Sequence, residues 1–230
     1  MFIGHYGVSL AAKRKPIPLA VLFIAVQFLD VVWSILVMLG IEKLRITPGI
    51  TKANSLDLYY MPYTHSVLGA LALSAIFGAV CAWALREDRR TVFWITAGAV
   101  FSHWLLDLIV HVPDMPLIGD TLKVGFGLWN FPAISLPLEL ASLWGGAVLY
   151  ARNFPSSRTG AAALWGFVAV LTGIELFTAF GPAPASPLDE AHTALAAYLG
   201  LAALAALVDW VRFRATNDKL PNLLAVELPR

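Results

Sequence analysis

The chain has 230 residues, of which 59% are hydrophobic and 13% are charged, and its formal net charge is +1. Soluble domains carry about 25% charged residues, so this composition indicates an integral membrane protein. The near-zero net charge gives no sign of a nucleic-acid partner. The single cysteine, Cys81, cannot form an intrachain disulfide.

The first twelve residues are mostly apolar but too few to cross a bilayer. They are expected either to lie on the membrane surface or to dip into the helix bundle, and the second placement would bring His5 inside. Lys13, Arg14 and Lys15 follow. The long apolar run after them lacks a small-residue cleavage site, which predicts a retained segment and not a removed signal peptide.

Six apolar windows of about 20 residues predict six transmembrane helices. They cover residues 17–40, 63–85, 91–111, 131–151, 160–181 and 190–212. The expected fold class is therefore all-α: a bundle of about six transmembrane helices with a short N-terminal apolar segment. This bundle is expected to form one domain over residues 1–214, followed by a short cytoplasmic tail over residues 215–230.

The basic residues predict the orientation of the bundle. Twelve of the 16 lie on one side of the predicted membrane: Lys13, Arg14, Lys15, Arg86, Arg89, Arg90, Arg152, Arg158, Arg212, Arg214, Lys219 and Arg230. Because cytoplasmic loops carry an excess of lysine and arginine, both termini are expected in the cytoplasm, in a membrane of the bacterial inner-membrane type.

An acid or a histidine recurs at a similar depth in several spans. His103 and Asp107 are four residues apart, so they share one face of the third span. A rise of ~1.5 Å per residue, counted from the basic anchors, places Asp30, His103 and Asp107 ~20–25 Å from the cytoplasmic side. The same count gives ~20 Å for Glu139 and ~25 Å for Glu175. Ionisable groups inside a bilayer normally face the bundle interior and find partners there.

Most of these residues also have a purely structural interpretation. Asp30 alone is often a helix–helix hydrogen-bond partner. His65 fits a helix start with Thr64 as its N-cap, and His111 fits a helix end, where a cationic histidine is favourable. These interpretations weaken when the residues are taken together, because three imidazoles and three carboxylates can bind two metal ions with open positions for water or substrate. The six are Asp30, His65, His103, Asp107, His111 and Glu139.

A mixed set of nitrogen and oxygen ligands suits zinc best, with manganese or iron as alternatives. One or two divalent ions are therefore the expected cofactor.

The order of these residues resembles a known family. Gly4-His5, Asp30, Thr64-His65-Ser66 and Ser102-His103-x-x-x-Asp107 are similar to a bacterial inner-membrane family of metal-dependent hydrolases (YdjM-like), distantly related to zinc-dependent phospholipase C and zinc nucleases. The resemblance covers about residues 1–145. It implies a metal-ligand set that adds an N-terminal histidine to the six residues above: His5, Asp30, His65, His103, Asp107, His111 and Glu139. Asp30 stands as a single acid where the family usually has Pro-Asp-x-Asp-His.

The leading hypothesis is a membrane-embedded hydrolase with His65, His103 and Asp107 as its core. His5 and Glu139 are expected to hold a second ion. Asp30 is the expected general base or bridging ligand. The substrate is expected to be a phosphoester, such as a phospholipid headgroup that enters from the outer leaflet.

Two outer residues have expected roles in this hypothesis. His111 is expected to protonate the leaving oxygen or to bind metal. Lys123, in an outer loop, is a further candidate contact for phosphate.

Two alternatives belong to other classes. Acids and histidines at one depth also describe an ion or proton transporter, although the sequence shows no repeat and predicts no helix that is broken near mid-membrane. A non-catalytic subunit with a degenerate metal site, bound to other protein subunits, is the second alternative. Membrane lipids are expected partners in every case.

Overall fold

A computed structural model describes residues 2–217, with side chains to residue 213. Its helices are α1 (Gly4–Ala11), α2 (Leu19–Val26), α3 (Phe28–Met38), α4 (Val67–Leu85), α5 (Arg89–Val110), α6 (Pro132–Asn153), α7 (Arg158–Phe180) and α8 (Pro187–Asn217). A short 3-10 helix covers Leu128–Asn130. Two strands, β1 (Lys43–Ile46) and β2 (Leu56–Tyr60), pair antiparallel.

Five helices, α4 to α8, are long and apolar enough to cross a membrane. The number becomes six if α2 and α3 are counted as one bent span. The predicted windows agree with these helices to within a few residues, except in the first span and at the C-terminal end. At the C-terminal end, α8 continues to Asn217, past the expected boundary at residue 214. Residues 218–230 of the expected tail lie outside the described residues.

The first predicted span, 17–40, is broken. Gln27 leaves the helical conformation between α2 and α3, and the two axes differ in direction by 56°. The side-chain amide of Gln27 donates to the Phe2 carbonyl at 3.1 Å, so the break is connected to the N-terminal segment. The expectation of no broken helix was therefore wrong. The break leaves the carbonyl of Val26 at a helix end, where backbone oxygens lack intrahelical partners.

Local capping fixes the start of the long helices. Ser66 accepts from the Gly69 amide at 3.0 Å and begins α4, and Ser157 does the same for Gly160 at 3.1 Å in α7. Thr64 is thus not the N-cap of α4. The predicted second span began at residue 63, whereas α4 begins at Val67 and leaves His65 in a non-helical segment.

The N-terminal segment dips into the bundle as the helix α1. His5 and Tyr6 are fully buried, and α1 lies against α6 with backbone in contact. A Cβ added to Gly7 would collide with the Ser142 carbonyl, and one added to Gly146 would collide with the Gly7 carbonyl. Only glycine permits this approach, because it has no Cβ.

The loop between α3 and α4 forms a hairpin, so the fold is not entirely helical. Arg45 lies opposite Asp57 in the ladder, and their side chains pair at 2.8 Å. Leu58 points inward and is buried. The Ala53 amide donates to the Trp129 carbonyl at 2.9 Å and connects the hairpin to the loop between α5 and α6. We call the end of the bundle that carries these two loops the loop end.

The opposite end of the bundle is closed by a buried ion pair. Lys13 Nζ lies 3.1 Å from the Asp209 carboxylate. Asp209 also accepts from the Tyr150 hydroxyl at 2.7 Å and from the Leu19 amide at 3.1 Å. The segment between α1 and α2 is therefore joined to α6 and α8.

Candidate metal centre

Three histidines direct one ring nitrogen each toward two aspartates near the loop end. Nε2 of His103 lies 3.0 Å from Asp107 Oδ2 and 3.4 Å from Asp30 Oδ1. Nε2 of His65 lies 3.3 Å from Asp30 Oδ1 and 3.7 Å from Asp107 Oδ2. Nε2 of His111 lies 3.6 Å from Asp107 Oδ2. We call these five residues the metal centre.

The other nitrogen of each ring is held by an oxygen. His103 Nδ1 donates to the Val26 carbonyl at 2.7 Å, which is the carbonyl exposed by the helix break. His111 Nδ1 donates to Asp114 at 2.9 Å. His65 Nδ1 lies 2.8 Å from the Thr64 hydroxyl. A hydrogen bond at one ring nitrogen fixes the proton there and leaves a lone pair on the other, as in protein metal sites.

The spacing of the atoms at the centre is compatible with a bound metal ion. His103 Nε2 is buried and forms no hydrogen bond within the described chain, although two carboxylate oxygens lie within 3.4 Å. Ligand atoms around a tetrahedral ion with bonds of about 2.0–2.1 Å are about 3.3–3.4 Å apart. The distances from Asp30 to His65 and to His103 match that spacing, and these three residues form one of two groups able to hold an ion.

The second group consists of His5, His103 and Asp107. His5 Nε2 lies 3.1 Å from Asp107 Oδ1, and its ring stacks on that of His103 with centroids 4.0 Å apart. Burial lowers the pKa of His5 to about 4, so the ring is neutral at pH 7, which is the form that binds metal.

The two groups are not independent sites. His103 belongs to both, and only its Nε2 is available because Nδ1 is bonded to Val26. Asp107 presents Oδ2 to three histidines and Oδ1 to His5. The two groups would therefore have to share ligands if two ions were bound.

Glu139 occupies a different position from the one expected. Its Oε2 accepts from the Phe2 amide at 2.8 Å and the Gly4 amide at 3.3 Å. These amides lie at the start of α1 and need acceptors, since no preceding helical turn supplies them. Among residues 2–217, Glu139 belongs to neither metal-holding group. The contacts give it the role of anchoring α1, which carries His5.

The metal centre lies in a cavity of about 1090 Å³. Asp30, His65, Asp107 and His111 line it, together with residues of the hairpin and of α6, α7 and α8. Apolar residues of α6, α7 and α8 also line it, including Leu136, Ile174, Phe177 and Ala194. The cavity thus places polar ligands and an apolar surface within reach of the same molecule.

Four further residues contact the site but were not predicted from the sequence as site residues. Tyr198 donates to Asp30 at 3.0 Å, Asp114 holds His111, and Trp129 packs on the His111 ring at 4.1 Å between centroids. Glu42 accepts from Thr64. Lys123, the candidate phosphate contact, instead pairs with Asp120 at 2.9 Å and donates to the Tyr59 carbonyl.

Comparison with protein-family models, curated proteins and solved structures gave no match.

Proposed function

We propose that the protein is an integral membrane hydrolase that uses a divalent metal, most favourably zinc, to cleave a phosphoester near the outer leaflet. The observation that carries this proposal is the convergence of three histidine Nε2 atoms on Asp30 and Asp107 inside the cavity. The order of these residues along the chain supports a distant relationship to the YdjM-like family.

The surface of the bundle supports a membrane location. Large apolar side chains on the long helices are exposed, including Trp83 at 70%, Trp94 at 65% and Ile76 at 57%. Exposed apolar surface of this extent marks contact with lipid or with other proteins. The basic residues then favour a bacterial-type inner membrane with cytoplasmic termini and the loop end outside.

The shape of the cavity favours a lipid substrate. Its volume, about 1090 Å³, exceeds that of inorganic phosphate and suits a headgroup with its glycerol and the first part of an acyl chain. Apolar residues of α6 and α7 line the wall, among them Leu136, Ile174 and Phe177. A lipid phosphate at the metal centre would leave the chain against this wall.

The centre provides residues for each chemical task. A divalent ion bound there would act as a Lewis acid and would lower the pKa of a coordinated water toward neutrality. Asp30 fits a ligand role, because Oδ1 faces two histidines and Oδ2 accepts from Tyr198. His111 lines the cavity and is oriented by Asp114 through Nδ1, which suits a metal ligand that binds through the Nε2 lone pair or, in the doubly protonated form of the ring, a general acid that protonates the leaving oxygen.

The test compares two histidine variants in purified, zinc-loaded protein. We expect the wild type to retain zinc through gel filtration and to release a phosphorylated headgroup from phospholipid micelles. His103→Ala should lose the bound zinc and the turnover. His192→Ala is the matched control, because His192 is exposed at the start of α8 and donates from Nδ1 to the Leu188 carbonyl.

Three outcomes are informative. Zinc retention with headgroup release in wild type and control supports the hydrolase. Absence of bound transition metal in the wild type overturns it. Zinc retention without turnover of any phosphoester would instead assign the protein to the non-catalytic class of membrane subunits.

Ion transport is a second candidate because the broken span lies at the metal centre. Broken helices form substrate and ion sites in many transporters, and Val26 at the break bonds His103. Two buried aromatic rings argue against transport, because they fill the space that an ion would have to cross. Tyr6 and Phe23 stack on each other inside the bundle, on the side of α2 away from the loop end. Zinc uptake into sealed vesicles, abolished in His103→Ala, would favour transport, whereas turnover in detergent would favour hydrolysis.

A further inference from the structure

A buried carboxylate outside the metal centre is connected to it through one hydroxyl group. Glu42 lies between α3 and β1 and is 1% exposed. Its Oε2 accepts from Thr64 Oγ1 at 2.6 Å, and that oxygen lies 2.8 Å from His65 Nδ1. We infer that Glu42 is a positioning residue for the metal centre, which acts through Thr64 to fix the tautomer of His65. This inference rests on the proposed metal centre.

The direction of the hydrogen bonds follows from the chemistry of the three groups. A carboxylate only accepts, so the hydroxyl of Thr64 donates its single hydrogen to Glu42. The oxygen of Thr64 is then an acceptor toward His65, and Nδ1 of that ring must carry the hydrogen. The lone pair of His65 is thereby left on Nε2, the atom 3.3 Å from Asp30.

Glu42 also fixes the backbone that carries His65. Its Oε1 accepts from the Tyr63 amide at 2.8 Å and from the Thr64 amide at 3.0 Å. His65 lies before the N-cap of α4, so helical hydrogen bonds do not hold its backbone. The Trp104 indole donates to the His65 carbonyl at 2.8 Å and completes this support. The position of His65 and the placement of the hydrogen on its ring therefore both depend on the Glu42 side chain.

Glu42→Gln separates these two contributions. The glutamine oxygen must face the two backbone amides, because a reversed amide group would place donors against donors. Its NH2 group then points at Thr64 and donates where the carboxylate accepted. The Thr64 hydrogen is released and can point to His65 Nδ1, which permits the tautomer that places a hydrogen on Nε2. We expect this tautomer to compete with metal binding.

Two substitutions at Thr64 test the link independently of Glu42. Thr64→Val has a similar shape but no hydroxyl, so the connection to His65 is lost. Thr64→Ser keeps the hydroxyl and should preserve it. If Glu42→Gln does not fold, the comparison of valine with serine carries the test alone.

The first measurement is the 15N NMR spectrum of the histidine rings in the metal-free full chain, with His65 assigned by its loss in His65→Ala. We expect the Nδ1–H tautomer of His65 in the wild type and in Thr64→Ser. In Glu42→Gln and Thr64→Val we expect a mixture of tautomers. A purely structural role for Glu42 would leave the tautomer unchanged.

The second measurement is zinc affinity, determined by competition with a chromophoric chelator. Outer partners of metal-bound histidines typically contribute 10–100-fold in affinity, and we expect that loss in Glu42→Gln and Thr64→Val but not in Thr64→Ser. Unchanged tautomer and affinity in folded variants would overturn the inference. If the wild type binds no zinc, the proposed function fails, while the tautomer experiment still decides whether Glu42 controls His65.

Discussion

Asp107 is the residue on which the metal centre converges. Its Oδ1 meets His5, and its Oδ2 faces the Nε2 atoms of His65, His103 and His111. His103, Asp107 and His111 follow one another at four-residue intervals, so α5 presents all three on one face. A single carboxylate with four imidazole neighbours is well placed to bind or bridge metal ions.

This arrangement predicts that Asp107 contributes more to zinc affinity than Asp114. Asp107→Asn removes a carboxylate from the centre, and we expect zinc affinity to fall by more than about 100-fold, because even outer partners contribute 10–100-fold. Asp114→Asn is the matched substitution, since Asp114 touches only one histidine of the centre at 2.9 Å. Asp114→Asn should lower zinc affinity by about 10-fold. Zinc competition titrations measure both, and equal losses would contradict this ranking.

The sequence was sufficient to predict the residues of the centre that share a helix, but not their outer partners. The i, i+4 spacing of His103 and Asp107 indicates a common face directly. The contact between Asp30 and Tyr198 joins residues 168 positions apart, and no local sequence pattern predicts it. Glu42 and Thr64 are 22 positions apart across a hairpin whose register depends on its turns.

At the scale of elements, α1 and the broken first span complete the site. α1 brings His5 to Asp107, and Ser142 in α6 holds α1 by donating to the Gly4 carbonyl at 2.7 Å. The break at Gln27 could not be predicted, because residues 19–38 contain neither proline nor glycine. The N-terminal segment and α5 stabilise the break instead: the Gln27 side chain donates to the Phe2 carbonyl, and the Val26 carbonyl accepts from His103.

The close approach of α1 and α6 gives the second prediction. Gly146→Ala places a methyl group against the Gly7 carbonyl, and we expect it to displace α1 and to lower stability by about 1–3 kcal/mol. Gly145→Ala is the control, because a Cβ on Gly145 meets nothing within 4 Å. Thermal unfolding in detergent measures the difference.

Zinc affinity shows whether α1 acts through His5. We expect Gly146→Ala to weaken zinc binding to the same extent as His5→Ala, with no further loss in the double variant. Additive losses would mean that the helix contact affects the centre by a route other than His5.

At the scale of the whole molecule, charge is distributed unevenly between the surface and the cavity. Net charge is only +1, yet six acids and one lysine line the cavity: Asp30, Asp107, Glu139, Glu175, Asp189, Glu190 and Lys52. A divalent ion would offset Asp30 and Asp107, and Glu139 is bonded to the amides of α1. Among the side chains described, which extend to residue 213, no lysine or arginine pairs with Glu175, Asp189 or Glu190.

Under the proposed hydrolase function, this imbalance predicts which lipid headgroup is preferred. Two unit charges ~10 Å apart interact by ~1.7 kcal/mol at an effective dielectric constant of about 20. A headgroup with an ammonium group should therefore be preferred over one with an extra negative charge by about tenfold in kcat/KM. Parallel assays of phosphatidylethanolamine and phosphatidylserine in micelles of equal composition measure this ratio.

Two variants test whether the cavity acids cause the preference. Glu190→Gln should reduce the ratio. Glu87→Gln removes an equal charge at the end of α4, away from the cavity, and should leave the ratio unchanged. A ratio that falls equally in both variants would show that net charge, and not the cavity, selects the headgroup.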